Sequence, residues 1–323
     1  MDKNEVKRKI KSFNKFLRKN KGPHKRKRMI YKIYITLLQL LYSIFPQRNG
    51  ICVANEEWDY LIILDACRYD TFKKFNKING KLEKKISRGS GTREWAKNNF
   101  KKYYNDIVYV SSNPFISNYN VAGWRGVDHF FDVENVWDYG WDSELGTVPP
   151  KNTKKAALKM KDKYPNKRMI VHFMQPHGPW IGNTKLSAKE AKEELGGGSV
   201  NCFVPAASYF WDQVNFGKMP VKKIMKAYEE NLILVLKEVD DLIKKLNGRI
   251  IITADHGTSF GKWNIYKHPR FIRTKDLKEI PWMIIEKNKK NKIKTPKKES
   301  YPKKKREINE IKIKERLASL GYV

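Results

Sequence analysis

Four apolar runs without polar alternation punctuate the chain, and each ends abruptly in polar residues. They lie in "WDYLIILDACRYD" (58–70), "DIVYVSSNPF" (106–115), "RMIVHFMQPHGPW" (168–180) and "GRIIITADHG" (248–257). Runs of this length bounded by turn residues read as buried strands. Between them, 92–104, 151–164 and 221–246 carry helical periodicity. In the last, Ile224, Tyr228, Leu232, Leu236, Val239, Leu242 and Leu246 recur at three- and four-residue steps, the stripe of an amphipathic helix. Apolar strands alternating with helices predict an α/β fold with a mostly parallel central sheet and helices on both faces. Such sheets bind ligands beyond the carboxyl ends of their strands. Asp65, Ser111–Asn113, His177 and the pair Asp255-His256 stand at those ends.

The N-terminal 50 residues have another texture. Residues 1–28 hold 13 Lys/Arg against Asp2 and Glu5. Then "MIYKIYITLLQLLYSIFP" (29–46) is apolar but interrupted by Lys32, Thr36, Gln39 and Ser43, which a helix would gather on one face. The segment falls short of the ~20 mostly apolar residues of a membrane span. It also lacks the small-residue cleavage site of a signal peptide. A basic leader followed by such a helix fits an interfacial anchor on an anionic membrane surface through residues 1–48. The plainer alternative is a helix covering the core, and the expected location is accordingly membrane-associated or cytoplasmic.

Charge adds a second basic run, 14 Lys/Arg against five Glu over 286–316, so the two ends account for +20 of the formal +33. With no nucleic-acid reading module in the chain, nucleic acid is not the expected partner. Cys52, Cys67 and Cys202 form neither a CxxC pair nor a disulfide framework. "GGGS" at 196–199 has no Lys-Ser/Thr after it and reads as a loop rather than a phosphate-binding one. The organisation expected is a basic leader (1–28), an amphipathic or membrane-associated helix (29–48), a catalytic domain (51–286) and a basic tail (287–323) ending in a short helix.

The strand ends gather a coherent set of donors. Asp65 and Asp255 offer carboxylates, His256 an imidazole, and Thr92, in the glycine-flexed "SRGSGTREW" (87–95), a hydroxyl. Two carboxylates, one imidazole and a hydroxyl suit a divalent cation, and a nearby cation makes a hydroxyl a better nucleophile. Arg68, His177 and His268 are candidates to surround a tetrahedral anion, with Lys262, His172 and Asn113 as further substrate contacts. Singly each has an ordinary structural use, as a helix cap or a packed histidine. Together they carry the reading as far as a metal-dependent hydrolase.

"LIILDACRYD", "SRGSGTREW", "VHFMQPHGPW", "RIIITADHGTSFGKW", "KHPRF" and "IPWMII" occur in an order that resembles the alkaline phosphatase/sulfatase superfamily, in its archaeal and bacterial sulfatase-like form. The resemblance covers about 55–286 and the last dozen residues, more loosely over 115–165 and 182–220. It implies that Asp65, Asp255 and His256, with Thr92, hold one divalent metal, not distinguished among Mn²⁺, Zn²⁺, Mg²⁺ and Ca²⁺. It implies Thr92 as nucleophile, with Ser90 the alternative in the same turn, and His177 and His268 on the substrate. Neither Cys67 nor Cys202 stands in the Cys-x-Pro-Ser-Arg context that becomes formylglycine in true sulfatases. A threonine nucleophile resembles instead the members that move phosphoryl or phosphodiester groups on glycans and lipids through a phospho-threonine. The function expected is therefore such a hydrolase or transferase, acting on a phosphate ester that is glycan- or lipid-linked. A sulfate ester hydrolase, or a catalytically silent relative that binds membranes or polyanions, is the alternative.

Overall fold

The computed structural model describes residues 25–44, 50–121, 123–195, 205–287 and 310–321. Most of the basic leader, the glycine run at 196–199, Cys202 and most of the basic tail lie outside the described residues. Nine strands are assigned among those described: β1 (Tyr60–Leu64), β2 (Lys81–Ile86), β3 (Tyr104–Ser111), β4 (Phe130–Asn135), β5 (Arg168–Phe173), β6 (Arg249–Thr253), β7 (Ser259–Phe260), β8 (Tyr266–Lys267) and β9 (Glu279–Glu286). Seven of them form one sheet in the order β2-β9-β6-β1-β5-β3-β4, and β7 and β8 form a small ribbon. The ladders β6–β1, β1–β5, β5–β3 and β3–β4 are parallel, while β9 runs antiparallel to both of its neighbours. The mostly parallel sheet expected from the apolar runs is thus present, with one reversed strand near an edge.

Every residue of β1 is buried because helices cover both faces. Tyr60, Ile62 and Leu64 point to one side, where Ala156, Ala157 and Met160 meet Leu232, Val235, Leu236 and Val239. The first three helical residues belong to Pro150–Lys163 and the last four to Val221–Ile243. Leu61 and Ile63 point to the other side, against Trp58, Trp95, Phe100 and Trp282. This two-sided burial is why the strand reads as a continuous apolar run. The C-terminal helix Glu310–Ser319 closes onto the first face through Ile313 and Leu317.

The N-terminal helix, α1, spans Lys25–Ile44. One face packs Tyr34, Ile35, Leu38 and Tyr42 on Ile265, Ile272 and Leu277. Tyr34 Oη donates to the Trp263 carbonyl at 2.7 Å and Gln39 Nε2 to the Arg270 carbonyl at 2.9 Å. The helix therefore covers the segment that carries His268. No described helix is long and apolar enough to cross a membrane.

Candidate active site

Register builds the centre of the site. In the parallel ladder of β1 and β6, Ile63 lies opposite Thr253. Two residues further on, the same register sets Asp65 beside Asp255. Both carboxylates are fully buried, and with His256 they bring ligand atoms within 4.8 Å of one another. Ala66 adopts φ 59°, a left-handed conformation uncommon for a residue with a Cβ. That turn aims its N–H at Asp255 Oδ1 (3.1 Å), which also accepts from His256 N (2.9 Å). A non-glycine residue held in this region beside two buried carboxylates is the local strain functional sites accumulate.

The donor chemistry fits a cation. The imidazole Nδ1 of His256 sits 2.7 Å from the Gly257 carbonyl, so Nδ1 carries the proton and Nε2 presents a lone pair. That Nε2 is buried without a hydrogen-bond partner, 3.3 Å from Asp255 Oδ2 and 3.6 Å from Asp65 Oδ1. Three electron-rich atoms converge there with no donor between them, an arrangement a divalent cation satisfies.

Thr92 opens the helix α2 (Thr92–Asn99), with Gly91 as its extended cap. Its hydroxyl donates to Asp255 Oδ2 at 2.7 Å and lies 3.3 Å from Asn113 Nδ2, which itself donates to Asp65 Oδ2 at 2.6 Å. Ser90 is turned away: its Oγ and its N–H both go to Glu94 Oε2 at 3.0 Å. Of the two hydroxyls, Thr92 is the one at the carboxylates. The glycines make this possible, since a Cβ on Gly89 would stand 2.3 Å from Trp95 N.

The histidines form two groups. His172, fully buried on β5, places Nε2 3.4 Å from Asp65 Oδ2 while Nδ1 lies 2.8 Å from the Tyr109 hydroxyl, so it orients Asp65 from beneath. His177 and His268 meet at 3.0 Å between their Nε2 atoms. His177 Nδ1 faces the Gly178 carbonyl and is its donor, so His177 Nε2 accepts from His268. A Cβ on Gly91 would lie 3.7 Å from His268 Nδ1, which places that ring over the start of α2.

Electrostatics separates the groups. Burial by itself would raise Asp65, but the neighbouring His172, His177 and His256 rings hold its carboxyl below the usual range. Burial, and then the charge of Asp65, push Asp255 up. Burial lowers His177, and burial followed by the nearness of the His256 and His177 rings lowers His268 well below an ordinary histidine. Both rings are neutral at neutral pH.

Two candidates lie elsewhere. Arg68 pairs with Asp70 and donates to the Thr258 carbonyl at 3.2 Å. Lys262 is exposed, its Nζ 5.3 Å from the Trp263 ring centroid. The cations that do line the cavity above Thr92 are Arg93, Lys267 and Arg270, with Lys27 and Lys32 from α1. That cavity, about 1060 Å³, opens between α1 and the segment 264–270. Sequence reasoning passed over these residues because nothing in "IYKHPRF" marks Lys267 (φ 65°) and Phe271 (φ 68°) as left-handed, the turns that set the loop's course.

The sulfatase family profile, described as "Sulfatase", matches residues 94–313, and the chain belongs to that family. It is an enzyme of the sulfatase-like kind. Three solved structures are similar to it. The soluble domain of lipooligosaccharide phosphoethanolamine transferase A from Neisseria meningitidis has TM-score 0.45 and 13% identity over 69% of this chain and 75% of that one. The C-terminal periplasmic domain of phosphoethanolamine transferase EptC from Campylobacter jejuni has TM-score 0.42 and 14% identity, over 70% and 78%. The lipoteichoic acid synthase LtaP from Listeria monocytogenes has TM-score 0.42 and 10% identity, over 80% and 72%. No curated protein matches the chain.

Proposed function

We propose that the protein transfers a phosphoryl or phosphodiester group through Thr92, with one divalent cation held by Asp65, Asp255 and His256. The observation that carries the reading is the Thr92 hydroxyl, 2.7 Å from a buried carboxylate whose neighbours leave His256 Nε2 bare. A cation in that cluster supplies positive charge for the anionic oxygens of the ester and makes the neighbouring hydroxyl more acidic. Asp255 Oδ2 and Asn113 Nδ2 hold the Thr92 hydroxyl at the edge of the cavity. The first N–H groups of α2 have no intrahelical acceptor and favour an anion at that point. Arg93, Lys267 and Arg270 add fixed positive charge around it.

Thr92 attacks the phosphorus as its proton passes to Asp255 Oδ2, to which the hydroxyl already donates at 2.7 Å; the Oγ1–P bond forms as the bond to the leaving oxygen breaks. His177 and His268, neutral and linked at 3.0 Å, stand over the start of the helix where that leaving oxygen exits. Water or an acceptor hydroxyl then takes the group from the threonine. Formylglycine-based sulfate hydrolysis is disfavoured, because neither Cys67 nor Cys202 stands in the Cys-x-Pro-Ser-Arg context, and the Cys67 Sγ turns to the Arg68 carbonyl.

The test is turnover of bis-nitrophenyl phosphate, nitrophenyl phosphate and nitrophenyl sulfate with Mn²⁺, Zn²⁺ or Mg²⁺, beside Thr92→Ala. Metal-dependent cleavage of a phosphate ester, reduced at least ~10³-fold in the variant, is expected. Undiminished rates in Thr92→Ala, or a preference for the sulfate, would sink the proposal.

A further inference from the structure

The helix α1 has three faces, and only two of them are accounted for by the fold. The face of Tyr34, Ile35, Leu38 and Tyr42 packs on the protein. The polar face turns Lys32, Thr36 and Gln39 into the wall of the catalytic cavity rather than into solvent. The third face is apolar and exposed: Ile30, which also borders the cavity, Ile33, Leu37, Leu40, Leu41 and Ile44, with Leu37 60%, Leu41 53% and Ile44 72% accessible. At about 100° per residue these six fall in a stripe about 100° wide. A contiguous apolar stripe of this kind on a surface helix marks an interaction site.

Three further observations indicate what covers it. The helix has no acidic residue, and its exposed Arg26 stands at the N-terminal end of the same stripe. It continues a leader whose 13 Lys/Arg face two acidic residues over 1–28. Beside it, Trp263 is 64% exposed, and its carbonyl accepts from Tyr34. An apolar stripe, a basic end and a solvent-facing tryptophan are the features of a helix lying in a membrane interface. The fourth feature is position, since the same helix walls the cavity that leads to Thr92.

We infer that the outer stripe of α1 seats the protein on an anionic lipid bilayer, with the catalytic cavity opening at that surface, so that the ester it acts on is the phosphate headgroup of a lipid. The substrate class rests on the phosphoryl-transfer reading above; the docking does not. The helix thereby has two roles, as anchor on one face and as wall of the cavity on another. The cationic wall receives the headgroup while the lipid's chains stay in the bilayer.

The experiment compares the wild-type chain with a Leu37→Glu/Leu41→Glu double variant. Neither side chain lines the cavity, and both are exposed, so an unchanged melting temperature checks that the fold is intact. Co-sedimentation uses vesicles of phosphatidylglycerol mixed with phosphatidylcholine, beside phosphatidylcholine alone. The wild type is expected to bind the anionic vesicles, less so as salt rises, and the variant to bind about tenfold more weakly or worse. A nitrophenyl phosphodiester carrying a long acyl chain, presented in the anionic vesicles, should be cleaved about tenfold more slowly by the variant. Soluble bis-nitrophenyl phosphate should be cleaved by both at rates within about twofold. Equal vesicle binding by the two proteins, or none by the wild type, would overturn the inference. So would a wild-type dimer that the substitutions turn into a monomer, because a second copy would then cover the stripe. If the metal-loaded wild type cleaves neither ester, the reaction reading fails, and co-sedimentation alone decides the docking.

Discussion

Replacing Asp255 by Asn should stabilise the chelated protein and destabilise it relative to wild type once metal is present. Asp65 and Asp255 are both fully buried, with carboxylate oxygens no more than 4.8 Å apart. Two like charges at that distance repel by about 3.5 kcal/mol at an effective dielectric of about 20. The amide keeps an oxygen for the N–H groups of Ala66 and His256. Its NH₂ can donate to Thr92 Oγ1, whose own proton is free to rotate. Little bonding is lost, so the gain without metal should be about 2–3 kcal/mol. For a domain of this size that corresponds to roughly 3–6 °C in Tm. With metal the order reverses, since a ligand at ~10³ times its Kd stabilises the wild type by about 4 kcal/mol and the variant has lost one carboxylate of the site. The assay is a melting curve of each protein in EDTA and in excess Mn²⁺ or Zn²⁺. A variant less stable than wild type in EDTA would show that the two carboxylates are not in conflict, and the argument for a cation between them would fall.

Two further perturbations probe the frame around the site. Lys278 is buried and its Nζ makes no hydrogen bond; burial lowers its pKa from 10.5 to about 8. Below pH 8 folded and unfolded chains both carry the proton, and the cost of burying the charge is present in full. Between pH 8 and 10.5 only the unfolded chain binds it, so stability should rise with pH across that window by up to about 3 kcal/mol. Lys278→Met should remove the slope and raise stability at pH 7, as denaturant titrations at several pH values would show; a slope that persists assigns it to another group. Gly257→Ala would place a Cβ 2.1 Å from the Asp276 carbonyl. The loop after β6 would have to shift His256, costing about 1–3 kcal/mol and weakening metal binding measured by calorimetry. Unchanged affinity in that variant would mean the loop has slack the structure does not show.

What could be read from the sequence divides along physical lines. β1, β3, β5 and β6 were legible because strands buried on both faces carry apolar runs that stop where the backbone turns out of the sheet. β2, "KLEKKI", was not, because it pairs only with β9 and its charged side chains protect an exposed edge. The reversal of β9 was equally hidden: "IPWMII" is apolar in either direction. Thr92, Asp65, Asp255 and His256 were visible as polar residues directly after such runs or in a glycine turn. The surroundings of Arg68 and Lys262 depend on single neighbours, Asp70 and Trp263, that no periodicity reports. For α1 the sequence showed an amphipathic helix with a polar stripe but not that this stripe faces the cavity. That outcome depends on Tyr34 and Gln39 finding carbonyls at Trp263 and Arg270, more than 200 residues away.

The dependence of the site on register explains why so few residues suffice to define it. Ile63 lies opposite Thr253 in one ladder and opposite His172 in another, and Ser111 lies opposite His172 in a third. Continuing each strand by two residues brings Asp65, Asp255 and Asn113 to the same end of the sheet, with His172 beneath them. A slip of one residue between β1 and β6 would turn every β6 side chain to the opposite face and take Asp255 with it. The ladder prevents that because Ile250 and Ile252 belong to one core and Ile251 to the other, and neither face accepts the exchange without burying Arg249 or exposing isoleucine. The apolar strands therefore do more than fill the interior: the volume of their side chains fixes the spacing of the carboxylates they end in. This also locates where the cavity can vary without loss of the carboxylate cluster. The cavity wall is drawn largely from α1 and the loop through His268, outside the seven-stranded ladder, and substitutions there can reshape the cavity while the register holds Asp65, Asp255 and Asn113 in place.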